Sequence, residues 1–256
     1  MRIMVLNQTQ GRTGTEYHDR VEPILRRYAS PGTVVDLCYP DEPAIRSQGG
    51  GSAHLGYYLS NPGLVQKTVW AEQNGYDAVI QSNNFEPGVE ASRMAVRIPV
   101  LGLCRTTMHV AANLSDRIGV TVPLDSYYIL ARRLLESYGL LQYVTELRSL
   151  SLPGVPNGAE QVAAMRPVIF ERAAEAMHSM VKDGGAECIV PLGGAIIPYI
   201  VDPNDLTPEA GAPVLNPKAI GIQFAEMCVR VGLSQSPLTY PLATLAAESA
   251  ALATPR

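Results

Sequence analysis

Apolar and polar positions along this chain follow two periods. Short apolar runs bounded by turn residues read as strands: "RIMVLN", "GTVVDLCYP", "YDAVIQS", "PVLGL", "DRIGVTVP", "YVTELRSLSLP" and "AECIVPLGG". Between them stand longer stretches with apolar residues at helical spacing. "TGTEYHDRVEPILRRYA" has Thr13 or Thr15 as a candidate N-cap, and "GYYLSNPGLVQKTVWAEQNG" is helical at least from Pro62, which suits a first helical turn, and closes at Gly75. "SYYILARRLLESYGL", capped by Asp125 or Ser126, and "AEQVAAMRPVIFERAAEAMHSMVKDGG" are two more. "NPKAIGIQFAEMCVRVG" is a last helix, and "VDPNDLTPEAGAPV" reads as a surface loop with turn chemistry. Buried strands alternating with helices predict an α/β fold with parallel sheets covered by helices.

The pattern also repeats. "AEQNGYDAVIQSNN" (71–84) and "VKDGGAECIVPLGG" (181–194) share a helix end, a glycine, an acidic residue, an apolar strand and a polar or glycine loop. Gly75 matches Gly185 and Asp77 matches Glu187 at one constant offset, and the order of elements restarts at "DRIGVTVP". Two pseudo-symmetric Rossmann-like lobes are expected, residues 1–100 plus 214–256 and residues 101–213, with a cleft between them. Open α/β sheets bind ligands at the carboxyl ends of their strands. The loops after Leu6, Gln81, Leu103, Val122 and Leu192 are therefore expected to share that cleft. The last helix is expected to pack back on the first lobe.

Composition narrows the partners. The chain has 256 residues, 46% hydrophobic and 17% charged, with net charge −4, which favours neither nucleic acid nor an anionic membrane. No apolar run approaches the roughly 20 residues that span a bilayer. "MRIMVLNQTQ" reads as a first strand and not as a leader, so a cytoplasmic location is expected. Cys38, Cys104, Cys188 and Cys228 show no close pairing, which fits reduced thiols. The four histidines lack metal-ligand spacing, and neither a metal nor another cofactor is expected.

With these pieces in order, the chain resembles the aspartate/glutamate racemase superfamily, and within it the hydantoin racemase branch. The pieces are "VLNQTQ", "GYDAVI", "EPG", "PVLGLCRTTMHVAANLSDRIGVTV" and "GAECIVPLGGA". The resemblance implies two α/β lobes around a small-molecule substrate. It also implies proton removal from a carbon beside a carbonyl or carboxylate, with two cysteines as base and acid. A homo-oligomer is an expectation by resemblance alone. The sequence departs from the family at both cysteines. The family's Cys-x-x-Asp-Pro-Gly is here Asn83-Asn84-Phe85-Glu86-Pro87-Gly88, and its Gly-Cys-Ala is here Gly193-Gly194-Ala195. An asparagine amide does not titrate near neutral pH and a glycine has no side chain, so under this alignment two-cysteine racemisation is excluded. Arylmalonate decarboxylases are similar and keep one cysteine.

The chemistry must then come from other groups. Glu86 is a base if buried, or a cap for the following helix. Cys104 follows "VLGL" at a strand end facing the cleft and is either a second candidate or a structural thiol at a helix start; Asn83 holds the place of the first thiol. Asn7, Gln8, Ser82, Asn84 and Thr121 are candidate substrate contacts at strand ends. Arg105, Thr106 and Thr107 start a helix and suit an anion or an imide oxygen, or else form a plain cap; His109 lies one turn further in. Gly193 and Gly194 open the second loop to backbone approach, as an oxyanion hole or a simple turn. "SQGGGSAHLGYY" (47–58) is a lid or a surface loop. The reaction expected is isomerisation, decarboxylation or hydrolysis of a small carbonyl or carboxylate compound such as a cyclic amide. The alternatives are a non-catalytic binding homologue and an ordinary racemase using an unrecognised base such as Cys104.

Overall fold

The computed structural model describes residues 1–8, 15–41, 53–156 and 158–243. Two parallel sheets organise it. In the first, β1 (Arg2–Leu6), β2 (Val34–Cys38), β3 (Ala78–Gln81) and β4 (Val100–Gly102) lie in the order β2-β1-β3-β4. In the second, β5 (Ile118–Val122), β6 (Val144–Ser149) and β7 (Cys188–Pro191) lie in the order β6-β5-β7. The strands read as continuous apolar runs, β3, β5 and β7, are buried along their whole length. Helices cover both of their faces, as a parallel sheet requires.

The crossovers are α1 (Thr15–Arg27), α2 (Ala53–Gln73), α3 (Val89–Arg93), α4 (Leu103–Leu114), α5 (Tyr128–Ser137) and α6 (Ala159–Lys182). The internal repeat is visible in the backbone. Gly75 and Gly185 both take positive φ, 74° and 66°, after their helices. Asp77 N–H then donates to Arg2 O, and Glu187 N–H to Arg117 O, each at 2.8 Å.

Two helices hold the lobes together. Leu103 of α4 enters the first core with Ile3, Val5 and Ile80, while Cys104, Met108 and Ala111 enter the second with Ile118 and Val120. The last helix, α8 (Pro217–Val231), returns to the first lobe as expected, placing Ile222 and Ala225 in its core. Glu226 of α8 is fully buried and accepts from Ser30 N–H at 2.7 Å and from Arg230 at 2.5 Å, fixing the helix against the α1–β2 turn.

Several sequence expectations shift. "VDPNDLTPEAGAPV" contains a helix, α7 (Pro203–Ala210): Asp202 caps it by accepting from Asn204 N–H at 2.9 Å, and Pro203 fills its first turn. Leu206 and Ala210 bury its inner face beside α6, which is why it folds as a helix and not a loop. Pro62 sits inside α2, which starts at Ala53, so one helical hydrogen bond is forgone there. Thr15 is the first residue of α1 and not its cap, while Thr13 lies outside the described residues. The Gly-rich stretch 47–52, expected as a lid, also lies outside them. Leu101 and Gly102, expected in the second lobe, pair in the first sheet, and Val214 bridges Ile189 beside β7. No described helix is long and apolar enough to cross a membrane.

The seat of α8 depends on a glycine. A Cβ at Gly221 would stand 2.3 Å from Cδ2 of Leu103, a fully buried side chain. Gly221→Ala gains about 1 kcal/mol in helix propensity, but overpacking a core costs about 1–3 kcal/mol. A net loss of stability is expected in denaturant unfolding, and a gain would show that α8 is not pressed against α4.

Candidate active site

The first loop follows β3 and is built on buried amides. Gln81 receives Asn83 N–H at 3.1 Å and donates to Pro87 O at 3.1 Å, which folds the chain back on itself. Asn83 Oδ1 accepts from Phe85 N–H at 2.9 Å, and its Nδ2 donates to Gln8 Oε1 at 2.7 Å. Gln8, itself buried, donates to Ser60 Oγ at 2.8 Å. Asn7 Nδ2 donates to the Tyr17 hydroxyl at 3.0 Å. Gln8 and Asn83 thus come together, with both ends of the Asn83 amide engaged, while the Asn7 amide turns to Tyr17.

Glu86 turns away from this group. It takes φ 58°, and its carboxylate lies so close over Gly102 that a Cβ there would stand 2.2 Å from Glu86 Cδ. Oε1 accepts from Arg105 N–H at 2.7 Å and Oε2 from the Tyr138 hydroxyl at 2.5 Å. Burial pushes the carboxyl pKa up, against the pull of Tyr138, the Arg105 and Cys104 N–H groups and the Arg93 charge. This is the geometry of a cap supplied from outside the helix, because Gly102 at the N-cap of α4 has no side chain to offer.

The helix-start candidates separate. Cys104, expected at the cleft, is fully buried in the second core, and burial drives its thiol pKa well up, so a thiolate is disfavoured there. Of the two readings, the structure matches the structural thiol at a helix start: α4 begins at Leu103, and the Cys104 side chain points into its packed face. The Arg105 guanidinium donates to the Tyr240 hydroxyl at 3.3 Å, stacks 5.1 Å over the Tyr138 ring and approaches Glu90 at 4.0 Å. Thr106, Thr107 and Thr121 are buried, and Thr107 Oγ1 has no partner. His109 is exposed on α4.

At the second loop the two glycines differ. Gly193 has φ 102°, and a Cβ on it would meet Pro123 at 2.5 Å, so backbone and space both require glycine. Gly194 needs glycine for space alone. A Cβ there would stand 2.6 Å from Asn84 Oδ1 and 2.7 Å from Lys218 Nζ. Asn84 ties the lobes by donating from Nδ2 to Pro191 O at 3.3 Å, while its Oδ1 is buried without a partner.

Lys218 is absent from the sequence-derived candidates. It is 1% exposed, and its Nζ donates to Ser82 O and, at 3.1 Å, to Ser82 Oγ. It also lies 5.3 Å from the centroid of the Tyr199 ring. Burial pulls its pKa down to about 7. The helix start that carries it is rigid: Pro217 occupies the first turn, and Asn216 Oδ1 accepts from Lys218 and Ala219 N–H at 3.1 Å each. One signal was available in the sequence. A cation in the first turn of a helix opposes the helix dipole and calls for a reason. Among the described residues, no group of three or more His, Cys, Asp and Glu is arranged to hold a metal ion.

In the unfolded chain Lys218 holds its proton up to its ordinary value of 10.5, but in the fold only to about 7. Its burial therefore weighs on stability fully below pH 7, and the penalty fades as pH rises toward about 10. Lys218→Met should raise the Tm above wild type most below pH 7 and least near pH 10. Melting curves with a pH-independent offset would contradict this.

Comparisons with known proteins agree with this architecture. Residues 3–225 match the family described as Asp/Glu/Hydantoin racemase. The chain is 28% identical over 188 residues to a hydantoin racemase of Pseudomonas sp. (strain NS671), covering 71% of this chain and 70% of that one. It is 28% identical over 204 residues to the hydantoin racemase of Rhizobium meliloti, covering 80% of each. Among solved structures, allantoin racemase from Klebsiella pneumoniae shares the fold with a TM-score of 0.80, at 24% identity over 95% of both chains. With a match spanning both lobes, the chain belongs to the Asp/Glu/hydantoin racemase family and is an isomerase-type enzyme.

Proposed function

We propose that this enzyme moves a proton at the carbon beside a carbonyl in a small cyclic amide of the hydantoin kind, and that it does so without cysteine. The observation that carries this reading is the replacement of the family's two thiol positions by Asn83 and Gly194 in a site whose two-loop frame is kept. None of the four free cysteines takes their place: Cys104, Cys188 and Cys228 are buried, and Cys38 bonds to Tyr76 on the first lobe. The names of the relatives, hydantoin racemase and allantoin racemase, support a cyclic amide and favour isomerisation over decarboxylation or hydrolysis. The site chemistry fits as well. Asn7, Gln8 and Asn83 are amides, donor and acceptor at once, as a ring of alternating C=O and N–H groups needs. The partnerless Asn84 Oδ1 suits a ring N–H, and the buried Thr106 and Thr107 lie on the helix start beside the loop.

A second reading, a binding protein that has lost its acid and base, draws on one observation: the Glu86 carboxylate and the Asn83 amide are both spent on internal hydrogen bonds. Incubation of 5-substituted hydantoins and allantoin in D2O, followed by proton NMR, separates the two. Loss of the ring C–H signal is expected of the enzyme; saturable binding with no exchange in any compound would establish the binder.

Glu86→Gln adds a second test. As a cap, Glu86 should be worth about 1–2 kcal/mol of stability, with the exchange rate at saturation changed by less than about threefold. A loss of about a hundredfold in rate with an unchanged Tm would make Glu86 the proton carrier instead.

A further inference from the structure

Three features converge at one point between the loops. Gly194 has no conformational need to be glycine, yet any side chain on it would run into the end of Lys218. Lys218 is a buried cation-forming group with, among the described residues, no carboxylate against it; the described groups facing its Nζ are Ser82, Asn84 and the Tyr199 ring. Asn84 Oδ1, beside the same spot, is fully buried and unpartnered, which marks a place built for a ligand donor or a water. Buried ionisable groups without a stabilising counter-charge are costly and concentrate at functional sites.

We propose that Lys218 is the proton carrier of this site, its amine occupying the space into which the family's second cysteine side chain would project, and that its substrate is an uncharged cyclic amide. The inference rests on the proton-transfer reading above and names its base and its substrate class. In the forward step the neutral amine takes the proton from the ring carbon. The C–H bond breaks, an N–H bond forms, and the electron pair passes to the adjacent carbonyl as an enolate. The resulting ammonium returns a proton to the same carbon, and nothing is oxidised or reduced.

Substrate charge follows from the surroundings of the amine. Facing only neutral dipoles, it loses its proton near neutrality and is available as a base. A carboxylate substrate bound against it would restore that proton by direct attraction and remove the base, whereas an uncharged ring leaves it free. Amino acids are therefore poor substrates for this site, and hydantoin-like rings are good ones. The opposite loop offers the Asn83 amide, which carries no exchangeable charge state at this pH. Removal and return consequently occur on one face until the ring turns over.

The test uses the full-length enzyme, one enantiomer of a 5-substituted hydantoin, and D2O. With wild type, deuterium should enter the recovered starting enantiomer at least several-fold faster than the opposite enantiomer forms. Lys218→Gln and the shape-conserving Lys218→Met should each lower exchange more than about a hundredfold while calorimetric affinity for the hydantoin stays within about tenfold. Gly194→Ala, which presses on Nζ without touching its chemistry, should lower exchange as well. The chain has three lysines, Lys67, Lys182 and Lys218, so ε-13C labelling resolves them, and the Lys218 resonance should titrate near pH 7. Exchange retained in folded Lys218→Met, or titration of Lys218 at an ordinary lysine value, would overturn the assignment and leave the proton-transfer reading standing. Absence of exchange in wild type would overturn both.

Discussion

The amine of Lys218 can be buried only because other positions yield to it. Gly194 withholds a side chain, Ser82 turns its carbonyl and hydroxyl inward, and Tyr199 closes the far side with a ring face. They come from two stretches of chain: Ser82 from the first loop, Gly194 and Tyr199 from the segment after β7. Lys218 itself stands on the helix that crosses back to the first lobe. One buried nitrogen thus lies where the two loops meet. The start of α8 has the rigidity this requires, with Asn216 as cap and Pro217 in the first turn. Its tail is anchored by buried Glu226 against Ser30.

A second constraint explains why the acid of the family's first loop persists here without its cysteine. The start of α4 feeds both cores, and Gly102 at its N-cap cannot satisfy the free N–H groups. Glu86 does so from the neighbouring loop, at the cost of a positive φ and a dehydrated carboxylate. The arrangement fits closely: the carboxyl group occupies the space in which a side chain at residue 102 would begin. In this chain the Glu86 carboxylate therefore has a structural task that does not depend on a thiol three residues before it.

Most of the frame was legible from periodicity. Strands buried on both faces leave unbroken apolar runs, and the repeat of glycine, acid and strand at 71–84 and 181–194 left the same backbone contacts in both lobes. What the sequence concealed was local. Asp202-Pro203 signals a turn as well as a helix start, and only the burial of Leu206 against α6 decides between them. Cys104 looked placed for the cleft because its strand ends there, but a helix beginning at Leu103 rotates its side chain into the core. Lys218 lies more than twenty residues after the second loop, in a stretch that reads as an ordinary terminal helix. Its approach to Ser82 and Gly194 is a product of the return crossing, which no local pattern records.

The repeat itself sharpens what changed at this site. Two related lobes present related loops, and a pair of like groups facing each other across a substrate is the natural outcome of such symmetry. Here the frame kept the symmetry while the candidate chemistry left it. Lys218 belongs to α8, which lies outside the repeated strand–helix units, so the repeat supplies no counterpart to it. A symmetric pair treats both faces of a carbon alike. A single amine acting from one side, as proposed for Lys218, would not, and the ring would have to turn before its configuration could change. On the proposed one-base course, stereochemistry would depend on how tightly the site holds the ring, because a substrate gripped firmly would exchange its proton many times before it inverts.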